Sequence, residues 1–324
     1  MSDSSKPTLI LADWGNTNLR FYRGSVGGAW EKRIVSHSGV HQLNYYMRTD
    51  RPKGELYAAL AQEHIGDWLN EYPDMPVLMG GAIGTNEGWS EARHMSCPAT
   101  VETVAQNLHC IPDTELGALR SRKIYIVRGL KVTLEGERRH VMRSEESKSF
   151  GAVGLLPEGR HVLAMPGTHC QWTHLDGQTI DYFCTFMTGE IYHTILKHGC
   201  IASCIPTEEA EDLASFERGV TIAMQGFDLL ADLHMIRAQN VSGDNPPKSF
   251  HSYASGVLIG HELMGATRFF GRKDPLTLVL DKGAKRDLYV RALEIVGWPL
   301  AGELSAEETY LRGLQMIGAA LLKA

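Results

Sequence analysis

Asp13 is the first side chain in this sequence placed to do chemistry. It closes an apolar run, Leu9-Ile10-Leu11-Ala12, and is followed by Trp14-Gly15-Asn16-Thr17-Asn18 before a second run, Leu19-Arg20-Phe21-Tyr22-Arg23. A carboxylate ringed by backbone N–H groups, a hydroxyl and amides suits a polyphosphate with its Mg²⁺: donors meet the phosphate oxygens, and the acid meets the metal's water shell. The same residues also make a polar hairpin turn in which Asp13 bonds neighbouring N–H groups. A comparable turn recurs at Met165-Pro166-Gly167-Thr168-His169-Cys170-Gln171-Trp172. At Phe186-Met187-Thr188-Gly189-Glu190-Ile191 a strand meets a helix, where Thr188 would cap the helix and its N–H groups would meet an anion.

Two other segments carry acids. Val141-Met142-Arg143-Ser144-Glu145-Glu146-Ser147 reads as a helix start. Acids in a first turn complement the helix dipole, and Arg143 with Glu146 could be a surface ion pair. The functional reading makes Glu146 or Glu145 a general base beside a cation that holds an anionic substrate. Gly80-Gly81-Ala82-Ile83-Gly84-Thr85-Asn86-Glu87-Gly88-Trp89-Ser90-Glu91 is a glycine-rich loop after a strand. Glycine lets a ligand approach the backbone and Trp89 could wall an organic substrate; a surface loop is the plainer reading.

The elements that must position these residues follow one plan twice. Strands are predicted at 8–13, 19–24 and 30–36, then a helix at 55–71. In the second half, strands at 161–165, 171–175 and 179–187 lead to a helix near Gly189-Glu190. Each half reads strand, polar turn, strand, glycine turn, strand, helix. Further strands are predicted at 76–80, 123–128 and 276–280, and helices at 142–154, 215–237, 250–270, 284–296 and 305–323. In the last helix Tyr310, Leu314, Ile317 and Leu321 form a core-facing stripe. Strands alternating with helices make an α/β protein. Ser242-Gly243-Asp244-Asn245-Pro246-Pro247 reads as a surface loop, and the domain boundary is expected near Leu156-Pro157-Glu158-Gly159, giving domains 1–156 and 157–324.

Composition excludes several classes. The 324 residues suffice for two domains, with hydrophobic residues at 43% and charged residues at 22%. A net charge of −6, from 38 acids against 32 bases, gives no field for nucleic acid, and no basic stripe is present. No apolar run approaches a membrane-spanning length, and Met1 to Pro7 is short and polar, not a signal peptide. The six cysteines form no Cys-x-x-Cys pair, which fits reduced thiols in a cytoplasmic protein; Asn240-Val241-Ser242 then has no glycosylation meaning. The fourteen histidines suggest no metal cage. The Gly-x-x-x-x-Gly-Lys phosphate loop, the Gly-x-Gly-x-x-Gly fingerprint, the two-histidine zinc helix and the Gly-x-Ser-x-Gly elbow are absent.

Taken in order, the segments resemble the 2-dehydro-3-deoxygalactonokinase family of the sugar kinase, heat-shock 70 and actin superfamily. The resemblance rests on Asp13-Trp14-Gly15-x-x-Asn18, Gly84-x-x-x-Gly88-Trp89-x-Glu91, Cys97-Pro98-Ala99, and Val141-Met142-Arg143-x-Glu145-Glu146. It continues through Pro166-Gly167-Thr168-His169-x-x-Trp172, Phe186-Met187-Thr188-Gly189-Glu190, and Tyr253-Ala254-Ser255-Gly256-x-Leu258-Ile259-Gly260-x-Glu262. It implies two ribonuclease-H-like domains in the actin-like ATPase arrangement, with an ATP-Mg²⁺ cleft between them. The implied reaction moves the γ-phosphoryl of ATP to the 6-hydroxyl of 2-dehydro-3-deoxy-D-galactonate, in galactonate breakdown. This sequence departs at Ser144, where the family shows glycine, at Asn16-Thr17, and at Asp281-Lys282-Gly283-Ala284, where a glycine-rich nucleotide stretch is expected.

On this resemblance Asp13 is expected to hold Mg²⁺ through water, and Gly15, Asn16, Thr17 and Asn18 to hold phosphates, with Gly167, Thr168 and His169 closing from the second domain. Gly256 and Gly283 would pass close to the nucleoside. Glu146, with Glu145 as alternate, would take the hydroxyl proton. Arg143 would grip the substrate carboxylate, and Thr85, Trp89, Glu91 and Thr188 would face the sugar acid. Domain closure would exclude water. A phosphohydrolase of the exopolyphosphatase type and a nucleotide-binding sensor without turnover are the alternatives. The gluconate epimer would need the same clamp and base, and a homodimer is compatible with the chain.

Overall fold

A computed structural model describes residues 6–46, 52–206, 210–243 and 247–323. Residues 1–5 of the polar N-terminal stretch and 244–246 of the Ser242–Pro247 loop lie outside the described residues. The chain divides into two units. The first comprises Met1–Pro157, Gly177–Asp181 and Glu307–Ala324; the second comprises Glu158–Asp176 and Tyr182–Ala306.

In the first unit β1 (Leu9–Trp14), β2 (Leu19–Gly24) and β3 (Trp30–Val35) form an antiparallel meander. α1 (Val40–Tyr46) and α2 (Lys53–Glu71) follow, and β4 (Val77–Gly80) then pairs parallel to β1, with Asp13 opposite Gly80. After β5 (Met95–Ser96), α3 (Val101–Ala105) and β6 (His109–Cys110), β7 (Ile124–Ile126) adds parallel to β4. The strand order is β3-β2-β1-β4-β7-β6. β8 (Leu130–Thr133) and β9 (Arg139–Met142) pair with β5 in a small second sheet. β9 leads directly into α4 (Glu145–Val153).

α2 forms because Tyr57, Ala58, Ala61, Ile65, Trp68 and Leu69 repeat at helical spacing, and all six are buried. β1 is buried almost throughout, as expected of a central strand covered on both faces.

The second unit repeats the plan. β10 (Arg160–Met165) pairs antiparallel with β11 (Cys170–Asp176), and β12 (Thr179–Phe186) lies beyond it. α5 (Thr188–Lys197), α6 (Gly199–Ala202), α7 (Leu213–Met224), α8 (Leu229–Ser242) and α9 (Phe250–Phe270) precede β13 (Leu276–Val279), which is parallel to β10. α10 (Ala284–Val296) and β14 (Leu300–Leu304) complete the sheet, and α11 (Ala306–Leu321) ends the chain. The order β12-β11-β10-β13-β14 matches β3-β2-β1-β4-β7 strand for strand. The chain is therefore α/β with two ribonuclease-H-like units.

The structure differs from the sequence reading in several elements. The helix expected over 215–237 is two, because Gly226 adopts φ +71° and Asp228 caps α8 by accepting from the N–H groups of Leu230 and Ala231. The helix expected from 142 begins at Glu145, so Arg143 precedes it and does not sit one turn before Glu146 on a helix face. α11, read as part of a 157–324 domain, packs within the first unit from Glu307 onward. A Cβ on Gly151 would lie 1.8 Å from the Thr309 carbonyl oxygen, and one on Gly313 would lie 1.8 Å from that of Ser147. α4 and α11 thus touch backbone to backbone immediately behind the two glutamates.

Candidate active site

Asp13 is the penultimate residue of β1, opposite Gly80, and accepts a hydrogen bond from Arg20 Nη1 at 2.8 Å. Burial raises its carboxyl above the ordinary value, and the Arg20 guanidinium only partly offsets this. The turn after it is ordered by its own carbonyls. Gly15 N–H donates to Asn18 O at 3.0 Å, while Thr17, Gly15 and Asn16 oxygens accept from the N–H groups of Gly39, Val40 and His41 at 3.0, 3.0 and 3.1 Å. Four acceptors that would repel an anion are thereby taken up, at the expense of one donor of the turn, the Gly15 N–H.

Glu145 and Glu146 open α4 but differ in environment. Glu146 is 1% exposed. Its Oε1 accepts from Ser147 Oγ at 3.2 Å and its Oε2 is buried without a partner. Burial, reinforced by the Glu145 charge, pushes its carboxyl up to about 7. Glu145 is half-buried and lies 3.6 Å from Lys148 Nζ. Of the two, Glu146, the residue expected as base with Glu145 as its alternate, is the one whose carboxyl is poised near neutrality; Glu145 is partly exposed and paired. Ser144, which precedes them, holds φ +91° with no side-chain cap bond. That is a conformation natural to glycine, the residue expected there.

Arg143 donates from Nη2 to Ala92 O at 2.6 Å, and its Nη1 is buried without a partner. Burial lowers its pKa, with Glu146 and Glu91 acting in the opposite direction. Tyr310, read from sequence as a core residue of α11, is the unexpected member of the group. Its hydroxyl is buried and unpartnered, and a Cβ on Gly80 would meet it at 2.4 Å. Burial and then the charges of Asp13, Glu146 and Glu145 push its pKa far up, so it stays a donor. The first unit therefore gathers Asp13, Glu145, Glu146 and Arg143, with a phenol at the back that the sequence did not single out.

The glycine-rich loop is used differently from the expectation. Trp89 is 1% exposed; its Nε1 donates to Glu115 O at 2.9 Å, and its ring stacks on Tyr57 and meets Trp14 edge-on. It is a core residue and cannot wall a substrate. Thr85 Oγ1 donates to Ala82 O at 2.7 Å and accepts from Gly88 N–H at 3.2 Å, so its hydroxyl closes the loop on itself. Glu91 is exposed.

In the second unit, Gly167, Thr168 and His169 form the turn between β10 and β11. Glu190 N–H donates to Thr168 O at 2.9 Å, and the His169 ring pairs with the Glu190 carboxylate. Thr188 does not cap α5, whose N-cap is Met187; its hydroxyl bonds Glu262 instead. Glu262 is fully buried and also accepts from Trp172 Nε1 and Tyr289 OH, each at 2.9 Å. This network ties α9, α10 and β11 to the turn, through Cys170 Sγ, 3.2 Å from the Tyr289 hydroxyl and donating to Gly167 O. Glu262 stood in the quoted motif without a role.

Gly256 has a packing reason: a Cβ there would lie 2.0 Å from Phe216 O of α7. No ligand is needed to explain it. Gly283, at the start of α10, has φ +149° and open space around it, so it is free to adjoin a ligand. Among the described residues, no group of three or more His, Cys, Asp or Glu side chains could hold a metal ion, and no helix is long and apolar enough to cross a membrane.

A family model described as 2-keto-3-deoxy-galactonokinase matches residues 13–317. The chain belongs to that family. A 2-dehydro-3-deoxygalactonokinase of Escherichia coli (strain K12) is 34% identical over 270 residues, spanning 83% of this chain and 84% of the relative. A crystal structure of a candidate 2-dehydro-3-deoxygalactonokinase from Sinorhizobium meliloti superposes with a TM-score of 0.83 at 26% identity, covering 98% of this chain and all of that one. As a member of the 2-keto-3-deoxy-galactonokinase family the chain is a sugar kinase, and its family implies ATP as a substrate.

Proposed function

We propose that the protein transfers the γ-phosphoryl of ATP to the 6-hydroxyl of 2-dehydro-3-deoxy-D-galactonate, in the cytoplasm. The carrying observation is Glu146, a wholly buried carboxyl at the start of α4 whose proton affinity is raised to about 7. Such a group takes a proton from an alcohol as phosphoryl transfer proceeds, and a base of this kind contributes on the order of 10²–10⁴-fold. Ser147 holds one of its oxygens, and the other faces no protein partner. Arg143, with its unpartnered Nη1, is suited to the carboxylate of the sugar acid.

Phosphoryl transfer asks the protein mainly for positioning and charge neutralisation. The donors of the Gly15–Asn18 turn, and separately those of the Gly167–His169 turn, suit phosphate oxygens. Mg²⁺ fits Asp13 as a water-mediated partner, because a lone carboxylate shared with Arg20 offers an oxygen ligand but no protein cage. When bound, the ion would neutralise phosphate charge; the protein's part is to hold Asp13 in place and keep Glu146 ready for the proton. ADP release measured over a panel of 2-keto-3-deoxy sugar acids, with a no-sugar control, tests the proposal. Sugar-dependent ADP with galactonate-type configuration preferred is the expected result; ADP release independent of sugar would overturn it.

A further inference from the structure

β1, β4 and β7 run parallel and end on one edge of the first sheet, where Asp13, the loop after Gly80 and the segment after Ile126 emerge together. Ligands of open α/β sheets bind outside such carboxyl ends. The segment after Ile126 reads Val127-Arg128-Gly129, and Gly129 has no room for a side chain. A Cβ there would lie 2.3 Å from Met142 O and 2.7 Å from the His94 ring. The backbones carrying Arg128 and Arg143 are therefore pressed together, with His94 at the contact.

On the other flank, His109 pairs with Ile126 across β6 and β7, and its Nε2 lies 2.8 Å from the oxygen of Ser90, which is 5% exposed. Burial lowers the pKa of His109, and the charges of Arg128 and Arg143 lower it further, against Glu115; His94 is lowered by burial, Arg143 and Lys131, against Glu91. Both shifts favour the neutral imidazole, so the positive charge of this group of side chains belongs to the two guanidiniums. Each of these has a buried N–H with no partner: Nε of Arg128 and Nη1 of Arg143. Leaving a buried charged donor unsatisfied is costly, more so than for a neutral one. A carboxylate offers oxygens for both donors.

We infer that Arg128 and Arg143 together form a two-arginine clamp for the carboxylate of the acceptor sugar acid, flanked by the neutral Ser90–His109 pair. This rests on the kinase reading above and deepens it by making the acid group the feature the site selects. Ser90 follows Trp89, whose indole is buried in the core. Guanidinium pairs grip carboxylates in a fixed bidentate geometry that an ammonium does not reproduce.

The test compares the sugar acid with its C1 amide, using the full chain. Wild type should prefer the acid roughly 100-fold in kcat/KM, a charged hydrogen-bonding group being worth that much. Arg128→Met should raise KM for the acid roughly 10- to 100-fold, leave KM for ATP unchanged and lose most of the preference over the amide. Arg128→Lys should recover only part of it. The protective shift in Tm that the sugar acid gives without ATP should vanish in Arg128→Met. If that variant does not fold, the acid-to-amide ratio of wild type and of Arg128→Lys decides. Equal use of acid and amide by wild type, or an unchanged KM in the variants, overturns the clamp while leaving the kinase standing. If no sugar acid is phosphorylated at all, the kinase reading falls, and the Tm shift with the acid against the amide still judges the clamp: a shift with the acid alone upholds it, and no difference overturns it.

Discussion

At the scale of single residues, Glu146 carries the most chemistry and the clearest prediction. In the folded protein it keeps its proton up to about pH 7, against 4.5 for the unperturbed group. Its contribution to stability is therefore fully present below about pH 4.5 and is lost as pH rises through about 7, a loss of about 3 kcal/mol. Glu146→Gln preserves shape and removes the ionisation. It should melt at a higher temperature than wild type at pH 8 and match it at pH 4, as calorimetry would read. Its kcat should fall at least ~100-fold with KM for ATP unchanged, and the rise of wild-type kcat with pH through about 7 should disappear. Trp89 supports a second prediction of opposite kind. Trp89→Phe should lower stability by about 1–2 kcal/mol in denaturant titration and leave KM for the sugar acid unchanged, because the indole packs on Tyr57 and Trp14. The sequence showed that Trp89 lay in a glycine loop, but an aromatic there reads alike whether it lines a pocket or anchors the loop. Burial separates the two, and burial is a tertiary property. The paired glutamates were legible because acid type and helix start are local; which one is buried depends on α11, more than 150 residues away in sequence.

Among the elements, α4 is the one whose placement matters most. It is preceded by Ser144, a residue with φ +91°, and lies in backbone contact with α11 at Gly151 and Gly313. Ser144 bears the strain of that φ, which glycine would adopt freely, so Ser144→Gly should stabilise the protein by about 1 kcal/mol and retain activity. Thermal melts and initial rates of the purified variant check this. The three-strand runs, their recurrence in the second half and most helices were legible, because period-two and period-3.6 patterns are local. The order of strands within each sheet was not, because it is set by long-range pairing. The break at Gly226 was missed, since the apolar spacing continues across it and the interruption lies in one left-handed residue and the Asp228 cap. The sheet of β5, β8 and β9 was also missed: β5 is two residues long and takes its identity from pairing. The same limit hid Tyr310, whose spacing on α11 marks a core stripe while its hydroxyl lies beside Gly80.

For the whole molecule, the account rests on two ribonuclease-H-like units of matching strand order, joined in one chain of the 2-keto-3-deoxy-galactonokinase family. The family motifs were legible in order along the chain, whereas Arg128, His109 and Ser90 were not, because three residues from three segments have no common spacing. What the account asserts above all is that an alcohol of the sugar acid, not water, receives the phosphoryl group. Phosphorus NMR of a complete reaction with ATP and 2-dehydro-3-deoxy-D-galactonate tests this most directly. The predicted result is a phosphomonoester signal split by the two protons of a CH₂ group, growing in step with ADP and at least ~100-fold more slowly with Glu146→Gln. Inorganic phosphate in place of that ester, or an ester on a CH position, would contradict it.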